Sequence, residues 1–182
     1  MSTFPAELTG TWDIDAGHSL VGFAVKHVVV ATTRGHFGTF TGHATIDAAQ
    51  PENSSATLSI DVTSVTTANE QRDGHLKSAD FFDVENHPTI TFQSTSAKAD
   101  GDKVVLLGDL TIKGVSRPVE ITWEFGGIAK DPWGNTKAGF EGTATINRKD
   151  WGLDYNAALE AGGLLISDKV KLSLEIEAAL RA

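Results

Sequence analysis

Cysteine is absent from the 182 residues, which excludes a disulfide framework, a thiolate nucleophile and a zinc knuckle. Any metal would have to be held by histidine and carboxylates. Positive charge is also scarce: 15 Lys and Arg face 24 Asp and Glu, for a formal net charge of -9. Such a surface repels phosphate backbones and anionic headgroups, so nucleic acid is not an expected partner. Long apolar runs are missing too. Stretches such as Val28-Val29-Val30-Ala31 fall far short of the roughly 20 residues that cross a bilayer as a helix, and no integral membrane segment is expected. The start, Met1-Ser2-Thr3-Phe4-Pro5-Ala6-Glu7, has neither the basic n-region nor the apolar h-region of a secretory signal, which makes the cytoplasm the expected location. The sequence patterns G-x-S-x-G, G-x-G-x-x-G, H-E-x-x-H and the P-loop are absent as well, which weighs against catalysis.

What is present is an ordinary globular composition, 40% hydrophobic and 21% charged, in a length that suits one domain. The chain is read as a single domain over residues 1–182, with residues 1–10 as a short extension. Period two dominates. Val170, Leu172, Leu174 and Ile176 alternate with Lys169, Lys171, Ser173 and Glu175, the pattern of a half-buried antiparallel strand. The same parity runs through Val119-Ile121-Trp123-Phe125, Phe140-Ala144-Ile146, Leu58-Ile60-Val62, Ile90-Phe92, Val21-Phe23-Val25 and Phe40-Gly42-Ala44-Ile46. Turn residues separate these runs, and Ile112-Lys113-Gly114-Val115 reads as a two-residue hairpin. About eight strands in an up-and-down antiparallel order are expected.

From Thr67 to Asp83 the alternation stops. Thr67-Ala68-Asn69-Glu70 fits a capping box, and Leu76, Ala79 and Asp83 fall on helical spacing. One helix over about 67–83 is expected across the barrel or its mouth, irregular or broken at Gly74 because glycine costs about 1 kcal/mol in a helix interior. A helical turn is expected over Asn156 to Ala161. Strands with one apolar face need a second sheet or closure on themselves, and closure leaves either a packed interior or a lumen.

Several blocks point to a family. Trp12-Asp13-Ile14-Asp15, Phe23-Ala24-Val25-Lys26-His27 and Gly35-His36-Phe37-Gly38 are followed by Arg72-Asp73-Gly74-His75-Leu76, Asp80-Phe81-Phe82-Asp83 and His87-Pro88-Thr89-Ile90. Leu110 to Val115, Arg117-Pro118-Val119, Asn147 to Leu153 and Ser167-Asp168-Lys169-Val170 complete them. Together they resemble the bacterial YceI-like, lipocalin-like polyisoprenoid-binding proteins over about Thr11 to Ala178. The resemblance implies an all-β, eight-stranded antiparallel barrel with one inserted helix. It implies a tunnel that binds, stores or carries a long isoprenoid or other long-chain lipid, no enzymatic activity, no cofactor, and a homodimer. The positions expected to line such a tunnel are Phe23, Val25, Phe40, Leu58, Ile60, Phe92, Ile121, Trp123, Phe125, Phe140, Ala144, Ile146, Leu172 and Leu174. Arg72 and His75 are expected at its mouth, where a guanidinium pairs well with phosphate or carbonyl oxygens.

Two other functions compete. His75, Asp80, Asp83 and His87 offer ligands of the kind that hold zinc or manganese in a metal-dependent enzyme, although the five-residue step from His75 to Asp80 is off the i, i+4 alignment. A fully packed barrel would instead be a protein-interaction module. His18, His27, His36 and His43 are read as strand-end hydrogen bonders, and Trp12, Trp123, Trp133 and Trp151 as core or rim packing.

Overall fold

The computed structural model describes residues 3–160 and 164–182. The strands are β1 (Gly10–Ile14), β2 (Leu20–His27), β3 (Ala31–Phe37), β4 (Phe40–Ile46), β5 (Ser55–Asp61) and β6 (Val65–Thr66). After helix α1 (Glu70–Lys77) come β7 (Thr89–Asp100), β8 (Lys103–Ile112), β9 (Val115–Lys130), β10 (Thr136–Asn147) and β11 (Ile166–Leu180). These 11 segments form a closed 8-strand antiparallel barrel, because three staves of the barrel are each made of two segments.

β1 and β2 run one after the other along the same edge of β11: Trp12 faces Leu180 and Ile14 faces Ala178, then Leu20 faces Glu175 and His27 faces Ile166. A 3-10 turn, Ala16–His18, interrupts them. β3 pairs with β2 and β4 with β1, and likewise β6 pairs with β3 and β5 with β4. The remaining staves follow in simple hairpin order from β7 to β11. The β8–β9 turn is the expected two-residue loop, with Ile112 opposite Val115 and both Lys113 (φ 52°) and Gly114 (φ 75°) left-handed, as a type I′ turn demands.

The seam where β11 meets β1 and β2 is held by backbone and charge together. Asp15 N–H donates to Glu177 O at 2.8 Å, and Arg181 N–H to Thr11 O at 2.8 Å. Lys137 Nζ sits 2.7 Å from Asp15 Oδ2 and 3.5 Å from Glu177 Oε1, so one ammonium ties β10 and β11 to the β1–β2 turn. Hydrogen bonds from Lys137 and then His18 hold the Asp15 carboxyl down at about 2.

Inside, large residues lie over small ones on the neighbouring stave. A Cβ on Gly35 would meet Phe23 Cζ at 2.4 Å, one on Gly108 would meet Phe92 Cζ at 2.4 Å, and one on Gly142 would meet Trp123 Cε3 at 2.8 Å. Each ring therefore covers a glycine of the wall. The large and small residues of the inner face fill one another's space along the wall, and the axis of the barrel stays open.

The helix differs from its sequence reading. It spans Glu70–Lys77, passes through Gly74 without a break, and is capped by the Asn69 side chain, which accepts from Arg72 N–H at 2.9 Å. Thr67 does not cap it. Ala68 turns left-handed (φ 60°), which displaces Thr67 from the first turn, and Thr67 N–H and Oγ1 instead donate to Asp73 Oδ1 at 2.8 and 2.6 Å. Ser78 ends the helix by donating from Oγ to His75 O at 2.6 Å, and tight turns carry the chain to β7. No helix is formed over residues 156–160: Asn156 is bonded on both sides of its amide to Ile166, and Ala158 makes an isolated β-bridge with Leu164; Ala161 lies outside the described residues. The N-terminal extension also does more than precede the barrel: Leu8 is buried and its carbonyl accepts from Trp12 Nε1 at 2.8 Å.

Two expectations follow. Leu174 faces inward and is buried, whereas Lys171 lies on the outer face and is exposed. Leu174→Lys should cost about 3 kcal/mol or more by burying an unpaired charge, and Lys171→Ser should stay within about 0.5 kcal/mol; equal losses in denaturant titrations would show a sheet covered on both faces. The folded Asp15 carboxyl lies below its ordinary value of 3.8, so its contribution is present above that value and fades as pH falls through about 2. Asp15→Asn should therefore lower Tm at pH 6, with the gap to wild type narrowing toward pH 2.5. A gap independent of pH would refute the role of the charge.

Candidate functional site

The open axis consists of two apolar cavities in series. The larger, of about 330 Å³, lies toward α1, and the smaller, of about 150 Å³, lies toward the N-terminal extension. Leu58, Phe92, Ile121 and Leu174 line both and form a waist between them. Their positions follow from strand parity: each belongs to the inner face of β5, β7, β9 or β11.

The larger cavity is walled by Phe23 and Val25 of β2, Ile60 of β5, Leu110 of β8, Ile146 of β10 and Leu172 of β11. Its end is closed by α1 and the turn after it, through Arg72, His75, Leu76, Phe81 and Phe82, and by the β10–β11 connection, through Arg148, Leu153 and Tyr155. The smaller cavity is lined by Ala44, Ile46, Trp123, Phe125, Phe140 and Ile176, with Phe4, Leu8 and Trp12 at its end. The Trp123 indole N–H is buried there and has no hydrogen-bond partner among the described residues.

Three polar groups of the larger cavity, Arg72, His75 and Arg148, are engaged in holding its closing segments. Arg148 is 3% exposed, and burial pushes its guanidinium pKa down while Asp168 and Asp154 oppose the shift. It donates to Ser167 O at 3.0 Å and to the carbonyls of Leu153 and Tyr155, the last at 2.9 Å. A cation surrounded by backbone carbonyls satisfies the rule that buried charge must be compensated, and it fixes the connection that covers the cavity. Arg72 donates from Nε to Thr67 Oγ1 at 2.7 Å and from Nη2 to Thr67 O at 2.8 Å, which anchors the left-handed turn ahead of α1. The His75 ring stands edge-on between Phe81 and Tyr155, with centroids 5.0 and 4.6 Å away, and its Nε2 lies 2.8 Å from Asp80 Oδ2.

Of the positions expected to line a tunnel, all but Phe40 and Ala144 line one cavity or the other. Phe40 is buried elsewhere in the core, and Ala144, opposite Leu172 in the ladder, packs partly buried against the core without lining either cavity. Residues that strand periodicity does not reveal are the closing ones: Phe4, Leu8, Phe81, Phe82, Arg148, Leu153 and Tyr155. They lie in turns, where no period marks an inner face; the visible signals are the Asp80-Phe81-Phe82-Asp83 and Asn147 to Leu153 blocks that carry the family resemblance.

The histidine–carboxylate block does not converge. His75 pairs with Asp80, but Asp83 accepts from Asn86 Nδ2 at 3.0 and 3.1 Å, and the His87 ring lies 3.0 Å from where a Gly114 Cβ would stand. Among the described residues, the group with metal-ligating atoms close together is Asp15, His18 and Glu177, and the Lys137 ammonium already occupies that carboxylate pair. Also among the described residues, no helix is long and apolar enough to cross a membrane.

Comparison with known proteins agrees with this geometry. The YceI-like domain matches residues 12–178. A UPF0312 protein of Ectopseudomonas mendocina (strain ymp) is 41% identical over 158 residues, 85% of this chain and 83% of the relative. The crystal structure of Burkholderia cenocepacia BcnA superposes with a TM-score of 0.79 at 24% identity, covering 90% of this chain and 98% of that one. A polyisoprenoid binding domain from Saccharophagus degradans, implicated in plant cell wall breakdown, superposes with a TM-score of 0.66 at 17% identity, covering 93% and 98%, a likeness of fold. With its sequence matched along nearly the whole barrel and the barrel itself shared, the chain belongs to the YceI-like family.

Proposed function

We propose that the chain binds a polyisoprenoid or comparable long-chain lipid along the barrel axis and holds it without chemical conversion. The observation that carries this reading is the pair of apolar cavities joined end to end at Leu58, Phe92, Ile121 and Leu174. Two spaces in line, walled by aliphatic and aromatic side chains, suit a flexible chain better than a compact polar molecule. Each buried methylene contributes about 0.8 kcal/mol, so on the order of ten of them match micromolar affinity before ordering losses. The polyisoprenoid-binding domain that shares the fold supports the same ligand class. The non-catalytic part of the reading is supported by the engagement of Arg72, His75 and Arg148 in structural bonds, which leaves no convergent acid, base or nucleophile among them.

The test is a calorimetric titration of delipidated protein with isoprenoid alcohols of increasing length. Affinity should rise with length, and Leu58→Trp, which fills the waist, should weaken the longest chains by about tenfold or more while leaving the shortest nearly unchanged. No heat of binding at any length, with the protein folded, would refute the lipid reading.

A further inference from the structure

The β2–β3 hairpin breaks two local rules at once. Its tip is Val28-Val29-Val30, and Val28 (φ 54°) and Val29 (φ 64°) are both left-handed, a conformation in which β-branched residues are rare and strained. Asparagine or glycine would sit there without strain. The tip is also uncovered: Val29 is 75% and Val30 84% exposed. Leu164, 45% exposed, stands in the segment beside it, since Val28 N–H donates to Leu165 O at 2.9 Å. Neither the backbone nor the core accounts for valine at these positions.

The patch is continuous with the larger cavity. Val25, Lys26 and His27 lead up β2 to the tip and line that cavity, and so do Leu165 and Ile166 on the adjoining segment. Lys26 and His27 are exposed directly below the valines, and Lys26 Nζ donates to Thr32 Oγ1 at 3.1 Å. An apolar apex above a lysine and a histidine matches the layering of a bilayer interface, acyl region outermost and headgroups beneath. A second copy of the chain is a poorer occupant, because a tip of a few valines offers far less than the roughly 1,200 Å² that a stable interface buries.

We propose that the β2–β3 tip docks on the surface of a lipid bilayer, placing the mouth of the larger cavity against the membrane from which a long-chain lipid is drawn or to which it is returned. This rests on the lipid-binding reading for the cargo and on the tip alone for the docking. The net charge of -9 disfavours anionic membranes, so the docking is driven by apolar insertion and is seen on zwitterionic ones.

The test uses flotation with phosphatidylcholine vesicles, together with uptake of an isoprenoid alcohol delivered from dilute ethanol, for wild type and for Val28→Asn/Val29→Gly. That pair relieves the left-handed strain and removes the methyl groups of Val28 and of the exposed Val29, leaving Val30 in place. The variant should show an equal or higher Tm, unchanged uptake from solution, and vesicle partitioning reduced by about tenfold or more. Val30→Asp, which leaves the backbone alone, should reduce partitioning as strongly. Equal partitioning of wild type and both variants would overturn the proposal, as would a wild type that ignores vesicles but loses a dimer on substitution. If wild type floats, the variants do not, and none takes up isoprenoid from solution, the docking surface stands and the cargo assignment fails.

Discussion

Everything in this molecule depends on the closure of β11 onto β1 and β2. An antiparallel sheet with one apolar face must cover that face, and here the sheet covers it with itself. Closure removes the free edges that would otherwise invite pairing with other chains. It also creates an interior whose size is set by the number of staves rather than by the side chains inside it. The Lys137–Asp15–Glu177 cluster at the seam acts where the circle is completed, which is why a partly exposed ion pair matters more here than such pairs usually do.

The second constraint is where the aromatic rings go. In a filled barrel they would point to the axis and interdigitate. Here Phe23, Phe92 and Trp123 lie over glycines of adjacent staves, which gives each ring a packed surface while keeping it near the wall. The ends are then closed by segments outside the ladder: the N-terminal extension at one, and α1 with the Arg148-bound connection at the other. A rigid wall and separately held end pieces suit a container, since the ends can yield to a ligand while the hydrogen-bonded staves stay intact.

Much of this was legible from period two alone. Inward parity placed Leu58, Phe92, Ile121 and Leu174 on one face, and these became the waist; Lys113-Gly114 announced its hairpin because left-handed residues are chemically marked. What stayed hidden has physical reasons. Two of the split staves arise from short 3-10 turns, Ala16–His18 and Val62–Ser64, and the third from a break at Gly38-Thr39, all of which look in sequence like ordinary loops. Asn69 displaced Thr67 as helix cap because Ala68 turned left-handed, and nothing about alanine signals that. Whether the barrel was hollow could not be read from composition, since Phe23 opposite Gly35 is equally consistent with a filled axis or a lined one. Arg148 and Tyr155 close the cavity from a connection without periodicity, so only the resemblance of the Asn147 to Leu153 block drew attention to that region.

The central claim is that the barrel is a container for one long apolar molecule. Native mass spectrometry of freshly purified protein addresses it most directly, because bound mass and stoichiometry appear in one spectrum. The account predicts a population heavier than the 19.3 kDa chain by the mass of a single isoprenoid or similar lipid per chain, released intact when the protein is denatured. A spectrum showing only the bare chain, unchanged after incubation with isoprenoid lipids, would contradict it.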